Sequence, residues 1–117
     1  MLAKAKKTIE GNPVALATVS NSGKPNAIAV AFCKVVSKNQ VLITDNFMRV
    51  TRQNILANGK ACLVVWDKKW KGFKIEGKAK YFTNGKWKKI AEKIPQNKGL
   101  SAKGAIIVTA SKISKLA

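Results

Sequence analysis

The sequence predicts a small, mainly β domain: about six antiparallel strands closing, fully or partly, into a barrel, with three short helices as covers. Two observations carry this expectation. Short β-branched and apolar runs recur along the 117 residues, punctuated by turn signals at Asn21-Ser22-Gly23-Lys24, Ser37-Lys38-Asn39-Gln40 and Asn84-Gly85. Helical apolar spacing, by contrast, is confined to short stretches near Leu2, Asn54 and Ile90. Repeats, linkers and low-complexity segments are absent, and the length suits one domain over residues 1–117.

Leu2, Ala5 and Ile9 recur at helical spacing, so a short amphipathic helix opens the chain, and Gly11-Asn12-Pro13 ends it. Val14 to Ser20 reads as a strand, followed by a hairpin turn. A single long strand is expected from Asn26 to Val36. One of its faces carries Ile28, Val30 and Phe32, and the other Ala27, Ala29, Ala31 and Cys33. Small residues on one face suit either tight sheet packing or the approach of a flat group. Val41 to Thr44 is a short strand, Leu56 to Gly59 closes a helix, and Ala61 to Trp66 is another apolar strand.

Gly72 to Phe82 alternates most clearly: Phe73, Ile75, Gly77, Ala79 and Tyr81 share one face, while Lys74, Glu76, Lys78 and Lys80 make the other wet. Trp87, Ile90, Ala91 and Ile94 follow at helical spacing until Pro95. A polar loop, Gln96 to Lys103, leads to a last strand, Ala105 to Ala110. Its unbroken apolar run predicts burial on both faces, within the barrel or against a partner.

The chain carries 23 basic and 5 acidic residues, a formal net charge of +18. Such a field attracts any polyanion. Only Arg49 and Arg52 are arginines, however, and the lysines alternate outward instead of forming a block. Sequence-specific nucleic-acid readers favour arginine and stacking aromatics, so weak, nonspecific nucleic-acid affinity is the expectation. No apolar stretch is long enough to span a bilayer and no signal-peptide pattern begins the chain, which makes the cytoplasm the expected location, with no membrane partner. Cys33 and Cys62 fall in expected strands, where free thiols are the common outcome; a bridge between them depends on distance.

The chain has no histidine, its five acids are scattered, and it lacks glycine-rich nucleotide loops and metal-ligand spacing. No catalytic acid, base or metal site can be named. If the protein is an enzyme, a cofactor must carry the chemistry.

The most informative segment is residues 45 to 55, Asp-Asn-Phe-Met-Arg-Val-Thr-Arg-Gln-Asn-Ile, which joins a strand to a helix. Asp45 or Asn46 can cap the helix start, and Gly59 suits the left-handed position beyond its end. Unpaired N–H groups and partial positive charge gather at the first turn, where Arg49, Thr51 and Arg52 stand ready for a phosphate.

Phe47-Met48-x-x-Thr51-x-x-Asn54-Ile55, leading through Asn58 into Leu63-Val64-Val65-Trp66-Asp67, resembles the small FMN-binding split barrels of the pyridoxamine 5'-phosphate oxidase-like family. Ala17-Thr18-Val19, Ser22-Gly23-Lys24-Pro25-Asn26 and Gly72-Phe73-x-Ile75-x-Gly77-x-Ala79 agree, so the resemblance covers roughly residues 10 to 115. One position departs: the family usually carries Lys before the Thr, and here it is Val50.

The resemblance implies a six-stranded antiparallel split β-barrel of Greek-key connectivity with short covering helices. It also implies a homodimer with FMN near the subunit interface, acting as an oxidoreductase or in electron transfer with a small-molecule or protein redox partner. Carried over by position, Ala27, Ile28 and Ala29 would line the isoalloxazine ring, and Thr44, Asp45 and Asn46 would edge it. Met48, Arg49 and Thr51 would hold the ribityl phosphate, with Arg52 supplying charge that Val50 cannot. Two other readings stand beside this one: a flavin-free binding or storage module on the same fold, motivated by Val50, and a small basic polyanion-binding barrel, motivated by the net charge.

Overall fold

The computed structural model describes residues 1–97 and 99–116. Seven strands form one antiparallel sheet in the order β2-β1-β5-β6-β7-β4-β3. They are β1 (Val14–Val19), β2 (Pro25–Val30), β3 (Cys33–Ser37), β4 (Gln40–Asp45), β5 (Lys60–Trp66), β6 (Gly72–Phe82) and β7 (Gly104–Lys115). Helices α1 (Lys6–Gly11), α2 (Val50–Asn58) and α3 (Gly85–Glu92) cover it. Strands β5, β6 and β7 follow one another as neighbours, and β4 returns beside β7 after a long connection through α2, which is Greek-key connectivity.

The single strand expected from Asn26 to Val36 is in fact two, which raises the count from six to seven. Residues up to Val30 pair with β1, and residues from Cys33 pair with β4 at the opposite end of the sheet. Seven flat strands would put these edges about 29 Å apart, six spacings of about 4.8 Å. The three Cα steps from Val30 to Cys33 span at most about 11 Å. The sheet therefore curls until its two edges nearly meet, and the chain leaves one edge and joins the other at Ala31-Phe32. Alternation of apolar residues runs through this junction without a change of period, so the pattern alone does not mark it.

Inside the curl lie Leu16, Val41, Ile43, Leu63, Val65, Ile75, Ile106 and Val108, with Leu2, Ala5 and Ile9 of the N-terminal segment packed into the same core. Helix α1 is shorter than its apolar spacing suggests; Leu2 and Ala5 sit in the turn before it, where the Leu2 N–H donates to the Lys38 carbonyl at 2.8 Å. The second layer lies outside. Leu42, Ala105 and Ile107 are covered by Ala91 and Ile94, with Trp87 and Ile90 of α3 alongside. Strand β7 is thus buried on both faces, as its sequence predicts, the outer face by α3. It also runs further than Ala110. Ser111 bulges out between Ala110, opposite Gly77, and Lys112, opposite Glu76, and its hydroxyl donates to the Glu76 carbonyl at 3.1 Å.

Helix α2 docks through polar groups. The Asn26 amide donates to Thr51 Oγ1 at 3.2 Å, the Asn54 amide to Thr18 Oγ1 at 3.0 Å, and the Asn58 amide to the Val19 carbonyl at 2.8 Å. Residues 51, 54, 55 and 58 share one helical face, and Ile55 is its buried apolar member. Thr51 and Asn54 are accordingly buried, not helix-surface groups. Gly59 ends the helix at φ 71°, and its carbonyl accepts from the Ala79 N–H at 2.7 Å.

Candidate functional site

A cleft of about 520 Å³ opens where the curl is incomplete, within the range of small-molecule sites. One wall is β2 and the junction after it, from Asn26 and Ile28 to Phe32. Thr44, Asn46 and Met48 at and after the end of β4 line its floor, and Arg49, Val50 and Thr51 line one end where α2 begins. Ile94, Gln96, Asn97 and Leu100, from the connection between α3 and β7, form the opposite wall.

The chain enters α2 through a turn fixed by Asp45. Asp45 is fully buried; its Oδ1 accepts from the Met48 N–H at 2.7 Å and its Oδ2 from the Tyr81 hydroxyl at 2.5 Å. This corrects the expectation that Asp45 or Asn46 caps the helix. The N-cap is Arg49, without a side-chain cap, and α2 begins at Val50. Because no side chain caps it, the first-turn N–H groups are left for an external acceptor. Asn46 is committed elsewhere, in a reciprocal amide pair with Asn97 at 2.7 and 3.2 Å that ties the floor to the 3-10 turn Pro95–Asn97.

Of the residues singled out in the sequence, Ile28, Ala29, Thr44, Asn46, Met48, Arg49 and Thr51 line this cleft together. Ala27, Asp45 and Arg52 do not. Ala27 faces outward on β2 opposite Ala17, Asp45 lies beneath the turn, and Arg52 lies near Tyr81, where its charge opposes the rise of the phenol. Position 50 therefore lines the cleft, and Arg52, expected to supply the charge that Val50 cannot, does not. Val50 is 42% exposed, while Arg52 lies near Tyr81. Among the described residues, Arg49 is the cationic side chain that lines the cleft. Phe47, Val50 and Leu100 make its rim apolar.

The sequence reading missed Val30, Ala31, Phe32 and the wall from Ile94 to Leu100. The signal available was modest: an apolar Leu100 inside an otherwise polar loop that follows Ile94-Pro95.

A second surface lies outside β2, β1 and β5. Cross-strand registers put Ala29 opposite Ala15, Ala27 opposite Ala17, Ala15 opposite Val64 and Ala17 opposite Cys62, so these side chains share one flat, small-residue face. The Trp66 ring continues it and stacks on Trp70 with centroids 6.2 Å apart.

The two thiols are free, and burial pushes Cys33 up to about 12 and raises Cys62, with Glu76 adding to the rise and Lys74 opposing it. Neither is an activated nucleophile. Among the described residues no three His, Cys, Asp or Glu side chains gather to hold a metal, and no helix is long and apolar enough to cross a membrane.

The sequence profile of the family described as pyridoxamine 5'-phosphate oxidase matches residues 1–117. The chain belongs to that family. An uncharacterized protein of Methanocaldococcus jannaschii is 37% identical over 114 residues, spanning 94% of this chain and 76% of that protein. Among solved structures similar to this member of the pyridoxamine 5'-phosphate oxidase family is HupZ of Group A Streptococcus. It has a TM-score of 0.91 at 25% identity, over 99% of this chain and 94% of HupZ. An FMN-binding protein from Syntrophomonas wolfei superposes with a TM-score of 0.83 at 19% identity, over 99% of this chain and 86% of that one, a likeness of fold.

Proposed function

We propose that the protein is an FMN-binding flavoprotein, working as a homodimer in flavin-dependent oxidoreduction or electron transfer. The observation that carries this reading is the composition of the cleft. Its lining is mostly apolar, its volume of about 520 Å³ can take a planar ring system, and one end is a helix N-terminus carrying Arg49 and uncapped N–H groups. An amphiphilic ligand with a flat apolar part and a terminal phosphate fits both halves. The family supports it, and so does the FMN-binding protein of the same fold.

In this reading Ile28, Ala29 and Val30 flank the ring from β2, Met48 packs beneath it, and Thr44 borders it. Arg49 and the first-turn N–H groups hold the phosphate. The Thr51 hydroxyl, which already accepts from Asn26, keeps its own proton to donate. The bound flavin supplies the redox chemistry, while these side chains orient it and exclude water from one of its faces. The substrate or redox partner is a small molecule or protein that reaches the open side of the cleft.

Dimerisation follows from the small-residue face of β2, β1 and β5, which a second copy would cover by two-fold self-complementarity. The lysine-rich remainder adds nonspecific affinity for polyanions, and a chain of this kind works in the cytoplasm.

The test is the absorption spectrum of the pure protein before and after adding FMN. A perturbed flavin band in stoichiometric proportion is expected. A spectrum identical to free FMN at excess protein would reject the reading in favour of a flavin-free module.

A further inference from the structure

Asp45 closes the inner row of β4, fully buried, in a chain with only five acidic residues. A buried carboxylate is tolerated when its charge is compensated and its oxygens are bonded. Both conditions are met in an instructive way. The two oxygens reach two different parts of the fold: Oδ2 takes the hydroxyl of Tyr81 on β6, and Oδ1 takes the N–H of Met48 in the turn that leads to α2. Arg52, in the first turn of α2, lies near enough to Tyr81 for its charge to act on the phenol and brings the compensating charge.

The backbone of Asp45 is held as firmly. It pairs with Gly104 on β7, and its carbonyl accepts from the Lys103 N–H at 2.7 Å. Gly104 makes room for the arrangement, since a Cβ there would lie 2.4 Å from Cζ of Tyr81. The Tyr81 ring therefore rests on the backbone of residue 104, and its hydroxyl is delivered to Asp45. Asp45, Tyr81, Arg52 and Gly104 are outside the cleft lining. What they fix is the path of residues 46–49, which sets where the uncapped N–H groups of α2 point.

We propose that the Tyr81–Asp45 pair positions the phosphate-binding end of the cleft by holding the turn from Asp45 to Arg49. Tyr81 and Asp45 are positioning residues, acting on the ligand through Met48 and the first turn of α2. The assignment rests on the flavin reading for its ligand, but not for its structural content. Burial and the Asp45 carboxylate hold the Tyr81 phenol up at about 12, with Arg52 opposing, in keeping with a hydroxyl that donates to Asp45.

The experiment compares the full chain with Tyr81→Phe and Asp45→Asn. Tyr81→Phe keeps the ring over Gly104 and removes only the hydroxyl. Asp45→Asn keeps an oxygen for Met48 and removes the charge. Amide hydrogen exchange of the ligand-free protein should speed at least tenfold from Met48 to Thr51 in Tyr81→Phe, with β1 and β5 unchanged. FMN affinity, read by fluorescence quenching, should fall about tenfold and riboflavin affinity less than twofold. Tyr81 is the only tyrosine, so its ionisation is readable by ultraviolet absorbance, and its midpoint should fall below about 12 in Asp45→Asn while burial still holds it above the ordinary phenol value.

Unchanged exchange from Met48 to Thr51 in Tyr81→Phe would overturn the proposal. So would equal losses for both flavins accompanied by faster exchange throughout, which would mean general destabilisation. If the unaltered protein binds neither flavin, the flavin reading fails by itself, and the exchange result still decides whether the pair holds the turn.

Discussion

Replacing Val50 by Lys offers a perturbation whose sign should reverse with the ligand. Val50 is the first residue of α2, lies at the mouth of the cleft and is 42% exposed, so lysine fits there without opening a core cavity. Without ligand the change is unfavourable: a cation at a helix N-terminus opposes the macrodipole by about 0.3–1 kcal/mol, and Arg49 is adjacent. With FMN bound, the ammonium meets a phosphate of nearly two negative charges. A charge-assisted hydrogen bond contributes about 1.5–3 kcal/mol, so affinity should rise about ten- to a hundredfold.

In saturating FMN a tenfold tightening adds about 1.4 kcal/mol of stability, which outweighs the cost to the free protein. Calorimetric melting of Val50→Lys should therefore begin below the unaltered protein and finish above it once FMN is present. Riboflavin, which lacks the phosphate, should show the loss but not the gain. Equal tightening of both flavins, or none of FMN, would refute the placement of the phosphate at α2.

Other expectations concern stability and assembly. Asn54→Ala removes the buried amide that donates to Thr18 Oγ1 and should cost about 1–3 kcal/mol in urea unfolding, whereas Gln53→Ala on the exposed face of the same helix should cost little. Tyr81 stays protonated in the folded state to about 12 but ionises near 10 when unfolded; its stabilising contribution is whole below pH 10 and is lost as pH rises toward 12, and Tyr81→Phe should flatten that part of a stability–pH curve. Ala17→Glu, in the middle of the small-residue face, should convert a dimer to monomer by sedimentation equilibrium while leaving the melting of the monomer unit near its original value. A monomer before mutation would remove the basis for that face as an interface.

Much of the fold could be read from local pattern because local pattern caused it. The strict alternation from Phe73 to Tyr81 names the wet face of β6, and the apolar run from Ala105 to Val108 names a strand covered on both sides. What escaped was set by distance in space. The break at Ala31-Phe32 comes from the closure of the whole sheet, and nothing in the period of residues 26–36 records it. The cleft shows the same division. Met48, Arg49 and Thr51 are neighbours in sequence and lie together, while Asn97 meets Asn46 across 51 positions. Arg52 stands outside the cleft lining and near Tyr81, a neighbour 29 positions away that local spacing does not reveal.

The near-meeting of the sheet's edges has a consequence for how such a protein can change over evolutionary time. Strand β2 pairs only with β1, so its other edge presents main-chain N–H and C=O groups beside the cleft. Donors and acceptors of that kind belong to the path of the backbone, and no substitution of a side chain deletes them unless it introduces proline. Chains only 25% and 19% identical keep this path at TM-scores of 0.91 and 0.83. An open strand edge is therefore inherited with the fold, while the residues around it are free to drift. In the flavin reading, a substitution such as valine at position 50 would retune the grip on one end of the ligand without dismantling the seat itself.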